Sequence, residues 1–336
     1  MFRRRAVAAL LFALVASRST PAQERPSAAA ADVPVVGLAG ITFRVSDLDK
    51  ARGYYNGVLG LPVAFTVKDR NGATSVFYKI NDDQYVETIG DLKAGEINRQ
   101  ARIMIQSSDL KRLNALYTER GLNPSPIMTG PDGNPVFRVI GPDDAKLDFI
   151  QYVAGSQQSA LRGKMLDPRR ITTHLWHVGI YTKDRATVAP FYEQKLGFAR
   201  GRDLPGGRGE YLETPSSDRN IETKYPPLDP NDPATRPRYE REVMGAVQHM
   251  GIEVADMRAT RDLVRERGKY TDLQVRAHVG NNRHWLMHVF DPDGSRTEIL
   301  ETAVQPDSVP SMSVMAPGKA VAPPIVPTTP GVIPWP

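Results

Sequence analysis

The stretch HVGIYTKD at residues 177–184 recurs as HMGIEVAD at residues 249–256, and this repeat decides the fold. Both copies follow the pattern His-x-Gly-Ile-x-x-x-Asp. Apolar and polar residues alternate in each copy, which predicts a β-strand, and the aspartate that ends the copy predicts the N-cap of a helix. Each histidine therefore lies at the start of a strand that leads into a helix.

The same strand–helix pattern occurs in two further places, and strand-like runs follow each helix. Residues 47–61 repeat as residues 184–198 at a constant offset of 137, so that an aspartate, an aromatic pair and a Leu-Gly step coincide. Internal repetition on this scale is typical of folds built from repeated units. We therefore predict an α+β protein of four βαβββ modules, with one pair of modules in residues 35–153 and the other in residues 171–302.

The segments outside the modules differ from them in composition. Residues 1–22 have a basic start, a short apolar run and a small-residue exit, which predicts an export signal and a periplasmic or secreted protein. The apolar run is too short to span a membrane comfortably, so we expect no stable membrane span after the signal is cleaved. Residues 23–34 are a predicted spacer and residues 154–170 a predicted linker. Nine prolines in residues 303–336 predict an extended or disordered tail.

Charge and cysteine content exclude several classes of protein. Four arginines lie in residues 1–22, and without them the formal charge falls from +5 to +1, so no basic patch indicates a nucleic-acid partner. The chain has no cysteine, which excludes disulfides and thiolate metal sites. We expect a small-molecule substrate as the main partner, and two pairs of modules permit either a monomer or a homo-oligomer.

Two histidines and one carboxylate on three predicted strands form a candidate metal site. His177 and His249 occupy the same position in the repeat, and Glu298 lies on a strand that follows the Asp-Pro-Asp-Gly turn at residues 291–294. Such a ligand set is typical of non-haem iron and related metal centres. A glycine two residues after each histidine would leave room over the metal, because alternate residues of a strand share a face.

The helix signatures VSDLDKARGYYNGVLGL (residues 45–61) and TKDRATVAPFYEQKLGF (residues 182–198), with the Asp-Pro-Asp-Gly…Glu ending, resemble the vicinal oxygen chelate (VOC) superfamily. That superfamily includes glyoxalase I, bleomycin-resistance proteins and type I extradiol ring-cleaving dioxygenases. The resemblance covers about residues 35–302. It implies two VOC domains, each an open, cupped, mixed β-sheet with flanking helices and with metal ligands on its concave face.

The resemblance also implies which residues bind the metal. In the second pair of modules, the family's ligand positions hold His177, His249 and Glu298. In the first pair, the matching positions hold Gly40, Arg102 and Asp148, and a glycine and an arginine cannot bind a cation there. The first domain is therefore expected to be metal-free and the second to carry the site.

The order of the three ligands resembles that of extradiol dioxygenases. This resemblance implies a metal-dependent oxygenase with an aromatic diol as a candidate substrate and with Fe(II) as its cofactor, Mn, Zn, Ni and Co being the alternatives. His288, ten residues before Glu298, is the candidate acid/base or oxyanion donor, and His278 lies near the position of a family catalytic histidine. The acid/base histidine that ring-cleaving relatives carry late in the third module has no counterpart in residues 199–225.

Two other functions stay open at this point. Glu222 lies where glyoxalase-like proteins place a second carboxylate, and as a fourth ligand it would favour Lewis-acid isomerisation by a glyoxalase- or epimerase-like enzyme. The sequence nevertheless favours the interpretation of Glu222 as an exposed glutamate at a strand edge. The degenerate first pair of modules is also compatible with a non-enzymatic binding protein of the bleomycin-resistance kind.

Overall fold

The computed structural model describes residues 33–69, 72–215, 220–225 and 244–315. The predicted export signal, all but two residues of the predicted spacer and the last part of the predicted tail lie outside the described residues. Across the ranges that are described, no helix is both long enough and apolar enough to cross a membrane.

The described strands form two mixed sheets of eight strands each. The first sheet consists of β1 (Val35–Arg44), β2 (Val63–Lys68), β3 (Thr74–Lys79), β4 (Tyr85–Ile89), β5 (Gln100–Ser107), β6 (Met128–Thr129), β7 (Pro135–Ile140) and β8 (Lys146–Ile150). The second consists of β9 (His174–Tyr181), β10 (Ala199–Asp203), β11 (Gly209–Glu213), β12 (Asn220–Lys224), β13 (Met250–Val254), β14 (Ala277–Val279), β15 (His284–Phe290) and β16 (Arg296–Val304).

Both sheets have the same topology, which confirms the predicted four βαβββ modules in two pairs. The strand orders are β2-β3-β4-β1-β5-β8-β7-β6 and β10-β11-β12-β9-β13-β16-β15-β14. The first strand of every module runs parallel to the last strand of the same module, and the first strands of two paired modules run antiparallel. The middle of each sheet therefore consists of four strands that come from both modules of a pair.

Each module carries one helix after its first strand, and an aspartate caps all four helices as the sequence predicts. These helices are Leu48–Arg52, Leu110–Glu119, Arg185–Val188 and Met257–Gly268. In each case the aspartate side chain accepts a hydrogen bond from a free backbone N–H of the first turn. The first and third helices continue as π-helical turns, Gly53–Val58 and Ala189–Lys195, which contain the aromatic pairs of the repeat. Shorter helical turns lie at Pro142–Asp144, Gln157–Ala160, Pro205–Gly207 and Met244–Val247.

The two halves of the chain share one continuous hydrophobic core. Tyr54 and Tyr55, in the first π-helical turn, are buried and reach across to the second half. Their hydroxyls donate hydrogen bonds to Thr297 Oγ1 at 2.8 Å and to Asp291 Oδ2 at 3.0 Å. Buried polar groups at such a boundary fix the relative position of the elements that carry them, because an unpaired partner would be costly.

The beginning of the proline-rich tail differs from its prediction. Residues 303 and 304 extend β16, and Val314 pairs with His278 at the edge of the second sheet. The backbone N–H of Val279 donates to Ser313 O at 2.9 Å, and Arg261 Nη1 donates to Met315 O at 3.1 Å. The prediction of a disordered tail from residue 303 is therefore wrong for residues 303–315, which supply backbone hydrogen bonds that β14 would otherwise lack.

Candidate metal centre

The three predicted ligands come together in the middle of the second sheet. His177 lies on β9, His249 immediately precedes β13, and Glu298 lies on β16, and these three strands are neighbours. All three residues are buried, and their candidate ligand atoms lie within 4.8 Å of one another. The family resemblance implies that the three side chains lie on one face of the sheet, and in the structure they form one cluster.

The two imidazoles face each other through the nitrogen atoms that would bind a metal. His177 Nε2 lies 2.9 Å from His249 Nε2. The other nitrogen of His249, Nδ1, lies 2.7 Å from the carbonyl oxygen of Val247 and donates to it. This hydrogen bond fixes the tautomer of His249 so that the lone pair of Nε2 is directed into the site.

The two glycines of the repeat make room for imidazoles, although not in the way the sequence suggests. A Cβ atom on Gly179 would lie 2.0 Å from Nδ1 of His249, and a Cβ atom on Gly251 would lie 2.0 Å from Cε1 of His177. Each glycine thus accommodates the histidine of the neighbouring strand rather than space over its own histidine. The repeat His-x-Gly is a reciprocal packing arrangement between two antiparallel strands.

Glu222 belongs to the same cluster, so its interpretation as an exposed strand-edge residue is wrong. It lies on β12 and is 3% exposed. Its Oε2 atom lies 3.2 Å from Nε2 of His249 and 3.9 Å from Nε2 of His177, while Oε1 accepts a hydrogen bond of 3.1 Å from the hydroxyl of Tyr211. The residue is buried because β12 is an inner strand of the sheet, between β11 and β9.

Two cations that sequence reasoning missed also face the cluster. Lys224 Nζ lies 3.1 Å from Glu222 Oε2, and Arg296 Nη2 lies 3.5 Å from Glu298 Oε2 and 3.0 Å from His249 Nε2. Lys224 follows Glu222 by two residues and Arg296 precedes Glu298 by two. The alternation of side chains along a strand was the signal that could have found them.

The electrostatic environment sets the protonation states that metal binding requires. Burial lowers the pKa of His177, and burial together with the Arg296 guanidinium lowers that of His249 to about 3. Burial by itself would raise the pKa of both Glu222 and Glu298. The ammonium of Lys224 holds the pKa of Glu222 low, and the side chains of His288 and Arg296 hold that of Glu298 low. The imidazoles are therefore neutral and the carboxylates ionised at neutral pH, as metal ligands must be.

The two predicted catalytic histidines lie beside this cluster rather than within it. His288 Nε2 is 3.3 Å from Glu298 Oε2, and the His288 side chain is partly exposed. The ring centroid of His278 lies 5.9 Å from that of His288. Burial lowers the pKa of both, that of His278 to about 4, so both are neutral bases. Their catalytic role stays a prediction.

The first sheet carries a related cluster in which arginines complete the contacts. Glu87 lies opposite Thr42 on β1, and Glu222 lies opposite Gly179 on β9. Thr42 and Gly179 are equivalent in the repeat, with an offset of 137 residues, so Glu87 is the first-sheet equivalent of Glu222. Arg102 Nη2 donates to Glu87 at 2.6 Å, and Arg102 Nε lies 3.4 Å from Asp148. Arg138 binds Asp148 through two hydrogen bonds of 2.6 and 2.7 Å. A guanidinium thus lies between the two carboxylates of this sheet.

The second cluster, by contrast, has polar atoms that the protein leaves unpaired. In the part of the chain that the structure describes, His177 Nδ1 and Arg296 Nε make no regular hydrogen bond although they are buried. Such groups are costly unless a ligand, ion or water satisfies them. Two imidazole nitrogens and two ionised carboxylates are donors that suit a divalent metal, so the residues present fit a metal ion.

The fold and the site define a protein of two paired-module domains with one candidate metal centre. Residues 174–299, which make up most of the second domain, match the model of the Glyoxalase/Bleomycin resistance protein/Dioxygenase superfamily. No curated protein sequence matches the chain.

Solved structures with the same fold include dioxygenases and a glyoxalase. An extradiol ring-cleaving dioxygenase from B. fuscum is 15% identical with a TM-score of 0.58, covering 86% of this chain and 78% of that chain. Homoprotocatechuate 2,3-dioxygenase from Arthrobacter globiformis is 16% identical with a TM-score of 0.57, covering 80% of each chain. The Mn(II)-bound glyoxalase from Novosphingobium aromaticivorans is 17% identical with a TM-score of 0.59, covering 82% and 86%. At these identities the likeness shows the fold.

Proposed function

We propose that the protein is an exported, divalent-metal-dependent enzyme that binds a small substrate through two neighbouring oxygen atoms and acts as a lyase or isomerase of the glyoxalase type. The observation that carries this proposal is the burial of Glu222 beside both imidazoles, within 3.2 Å of His249 Nε2. The proposed ligands are His177, Glu222, His249 and Glu298. The export signal, which lies outside the described residues, is the basis for the proposed location.

The number of protein ligands separates the candidate reactions. A metal ion with six coordination positions and four protein ligands keeps two positions, which is enough for two substrate oxygens. With three protein ligands it keeps three positions, so that dioxygen could bind beside a chelating substrate. Glu222 as a fourth ligand therefore favours Lewis-acid chemistry over oxygen activation.

The first sheet supports the participation of Glu222 independently. Its register equivalent there, Glu87, and the equivalent of Glu298, Asp148, both contact the guanidinium of Arg102. The two carboxylate positions of this module pair can therefore converge on one cation. In the second sheet the arginine position holds His249, whose neutral imidazole can itself bind a metal.

The proposed chemistry is a proton transfer within the bound substrate. When bound, the metal would act as a Lewis acid that makes the hydrogen next to a substrate carbonyl more acidic. His288 is neutral, partly exposed and 3.3 Å from Glu298, so its imidazole can accept this proton and return it to the adjacent carbon. Tyr211 holds Glu222 in place through its hydroxyl group.

The test compares metal binding by the wild-type protein, Glu222→Gln and the control Glu213→Gln, which lies on the adjacent strand. Equilibrium dialysis against Mn(II), Zn(II) and Fe(II) would measure affinity. We expect Glu222→Gln to lower the affinity about tenfold or more, while Glu213→Gln leaves it unchanged. Unchanged affinity in Glu222→Gln would reject the four-ligand site, and no binding by the wild-type protein would favour a metal-free binding protein.

An extradiol dioxygenase is the second candidate, with an aromatic diol as substrate and Fe(II) as the metal. The observation that favours it is the pair of neutral histidines, His278 and His288, next to a His177–His249–Glu298 group. Oxygen consumption by the Fe(II)-loaded protein with a panel of catechols would support it. If no catechol gives oxygen uptake while Glu222→Gln impairs metal binding, this candidate is excluded.

A further inference from the structure

The second cluster contains an equal number of buried positive and negative side chains. Glu222 and Glu298 carry the negative charges, and Lys224 and Arg296 carry the positive ones. Arg296 is 2% exposed and the side chain of Lys224 is 12% exposed. The two cations thus match the two carboxylates in number and contact them directly, before any metal binds.

A divalent metal would change this balance by two positive charges. Uncompensated charge inside a protein is strongly unfavourable, and proteins accept it only when a partner of opposite charge joins. In a site that binds a metal and a neutral diol, two further cations would make metal binding less favourable through charge repulsion. The positions 224 and 296 therefore indicate that the complete complex includes an anion.

The geometry of the two cations also suits a ligand that lies over the metal position. Lys224 shares a strand face with Glu222, and Arg296 shares one with Glu298, so the cations approach the ligands from opposite sides of β9 and β13. The Nε atom of Arg296 finds no hydrogen-bond partner in the described ranges, so this guanidinium keeps donor capacity. The cations of the first sheet differ, since both oxygens of Asp148 are bound by Arg138.

We propose that Lys224 and Arg296 form an anion-recognition pair, and that the substrate is a small molecule with a carboxylate beside its metal-binding oxygens, doubly anionic when bound. This inference rests on the proposed metal-dependent function and adds the substrate class to it. The two cations would then discriminate between substrates by charge, while the metal ligands hold the two oxygens.

The test uses three ligands with one carbon skeleton and neighbouring oxygens: oxalate, oxamate and oxamide, which carry two, one and no negative charges. Their dissociation constants would be measured on the Mn(II)-loaded protein through the relaxation of water protons. Because Mn(II) itself attracts anions, the informative quantity is the ratio of oxalate affinity to oxamide affinity, compared between wild type and variants. The variants are Arg296→Gln, Lys224→Gln, the conservative Arg296→Lys and the surface control Lys50→Gln.

We expect Arg296→Gln and Lys224→Gln each to lower that ratio by about 10- to 100-fold, through weaker oxalate binding with little change for oxamide. Arg296→Lys should recover most of the ratio, and Lys50→Gln should not change it. Mn(II) affinity, measured separately, should stay the same or increase in Arg296→Gln, because a competing cation is removed.

Two results would overturn the proposal in different ways. If Mn(II) binds normally and the ratio is unchanged in both glutamine variants, the anion-recognition pair is wrong and the proposed function stands. If the wild-type protein binds no Mn(II), the proposed function fails and the substrate class fails with it.

Discussion

The absence of a side chain at position 251 determines where the first imidazole of the site can lie. A Cβ atom there would be 2.0 Å from Cε1 of His177, far inside van der Waals contact. The imidazole is fully buried, and in a close-packed interior a Cβ atom at position 251 would force it to move. Adding one methyl group at position 251 is therefore expected to displace the His177 imidazole from the candidate metal centre.

We predict that Gly251→Ala lowers divalent-metal affinity by about tenfold or more, because His177 must leave its position opposite His249. The control is Gly53→Ala, since a Cβ atom at Gly53 meets no atom within 4 Å. Metal content after dialysis would measure both. Retention of full affinity by Gly251→Ala would show that His177 is not a ligand.

His288 provides a second prediction at the scale of one residue. His288→Gln keeps a polar side chain next to Glu298 but removes the basic imidazole. Turnover of the metal-loaded protein should fall about 100-fold or more, with metal affinity nearly unchanged. If metal affinity and turnover fall by the same factor, His288 positions Glu298 and does not transfer the proton.

At the scale of elements, the first sheet keeps the carboxylates of the module pair but satisfies them with arginines. Glu87 is 1% exposed and depends on Arg102 and on the hydroxyl of Thr42. We predict that Arg102→Met lowers the free energy of unfolding by about 3 kcal/mol, because a buried carboxylate loses its cation. Urea denaturation would measure this. Arg162→Met, which removes an exposed ion pair with Asp83, should cost about 0.5 kcal/mol or less.

A comparable small loss in both variants would show that the cluster of the first sheet has little structural value. The metal content per chain should be the same in Arg102→Met as in the wild type, because the predicted ligands all lie in the second sheet.

The elements differ in how well the sequence predicts them, and the reasons are physical. The capping aspartates and the alternating strands carry local signals, so the sequence alone is enough to place the modules and to bring the three candidate ligands His177, His249 and Glu298 onto neighbouring strands. The sequence does not predict the π-helical turns, which contain the two aromatic pairs. The burial of Glu222 depends on β11 and β12 pairing in order, which its neighbours along the chain do not encode.

At the scale of the whole molecule, the boundary between the halves contains a buried acid, Asp291, which is 4% exposed. Burial raises its pKa to about 6. The folded state therefore favours the protonated acid, and the stability that protonation contributes is present at acid pH and lost as the pH rises from about 4 through about 6. The hydroxyl of Tyr55 and the backbone of Ser295 hold the side chain in either state.

We predict that Asp291→Asn removes this pH dependence, because an amide stays neutral. Its free energy of unfolding relative to the wild type should increase by on the order of 2 kcal/mol between pH 4 and pH 7. Urea denaturation at both pH values would measure it, with the fully exposed Asp307→Asn as the control. A difference that does not vary with pH would mean that Asp291 is ionised in the folded protein across this range.

The first half of the chain also contacts β9, the strand that carries the predicted ligand His177. The amide of Gln84 both donates to and accepts from the backbone of Leu175 at 2.8 and 2.9 Å, and Gln100 Nε2 donates to Gly179 O at 3.0 Å. These two glutamines add side-chain hydrogen bonds to the backbone of β9, which is an inner strand of its sheet. The half of the chain that contains no histidine therefore helps to hold in place the strand that carries His177. We expect the second domain, expressed alone, to lack these hydrogen bonds and to form its candidate metal centre only if other groups replace them.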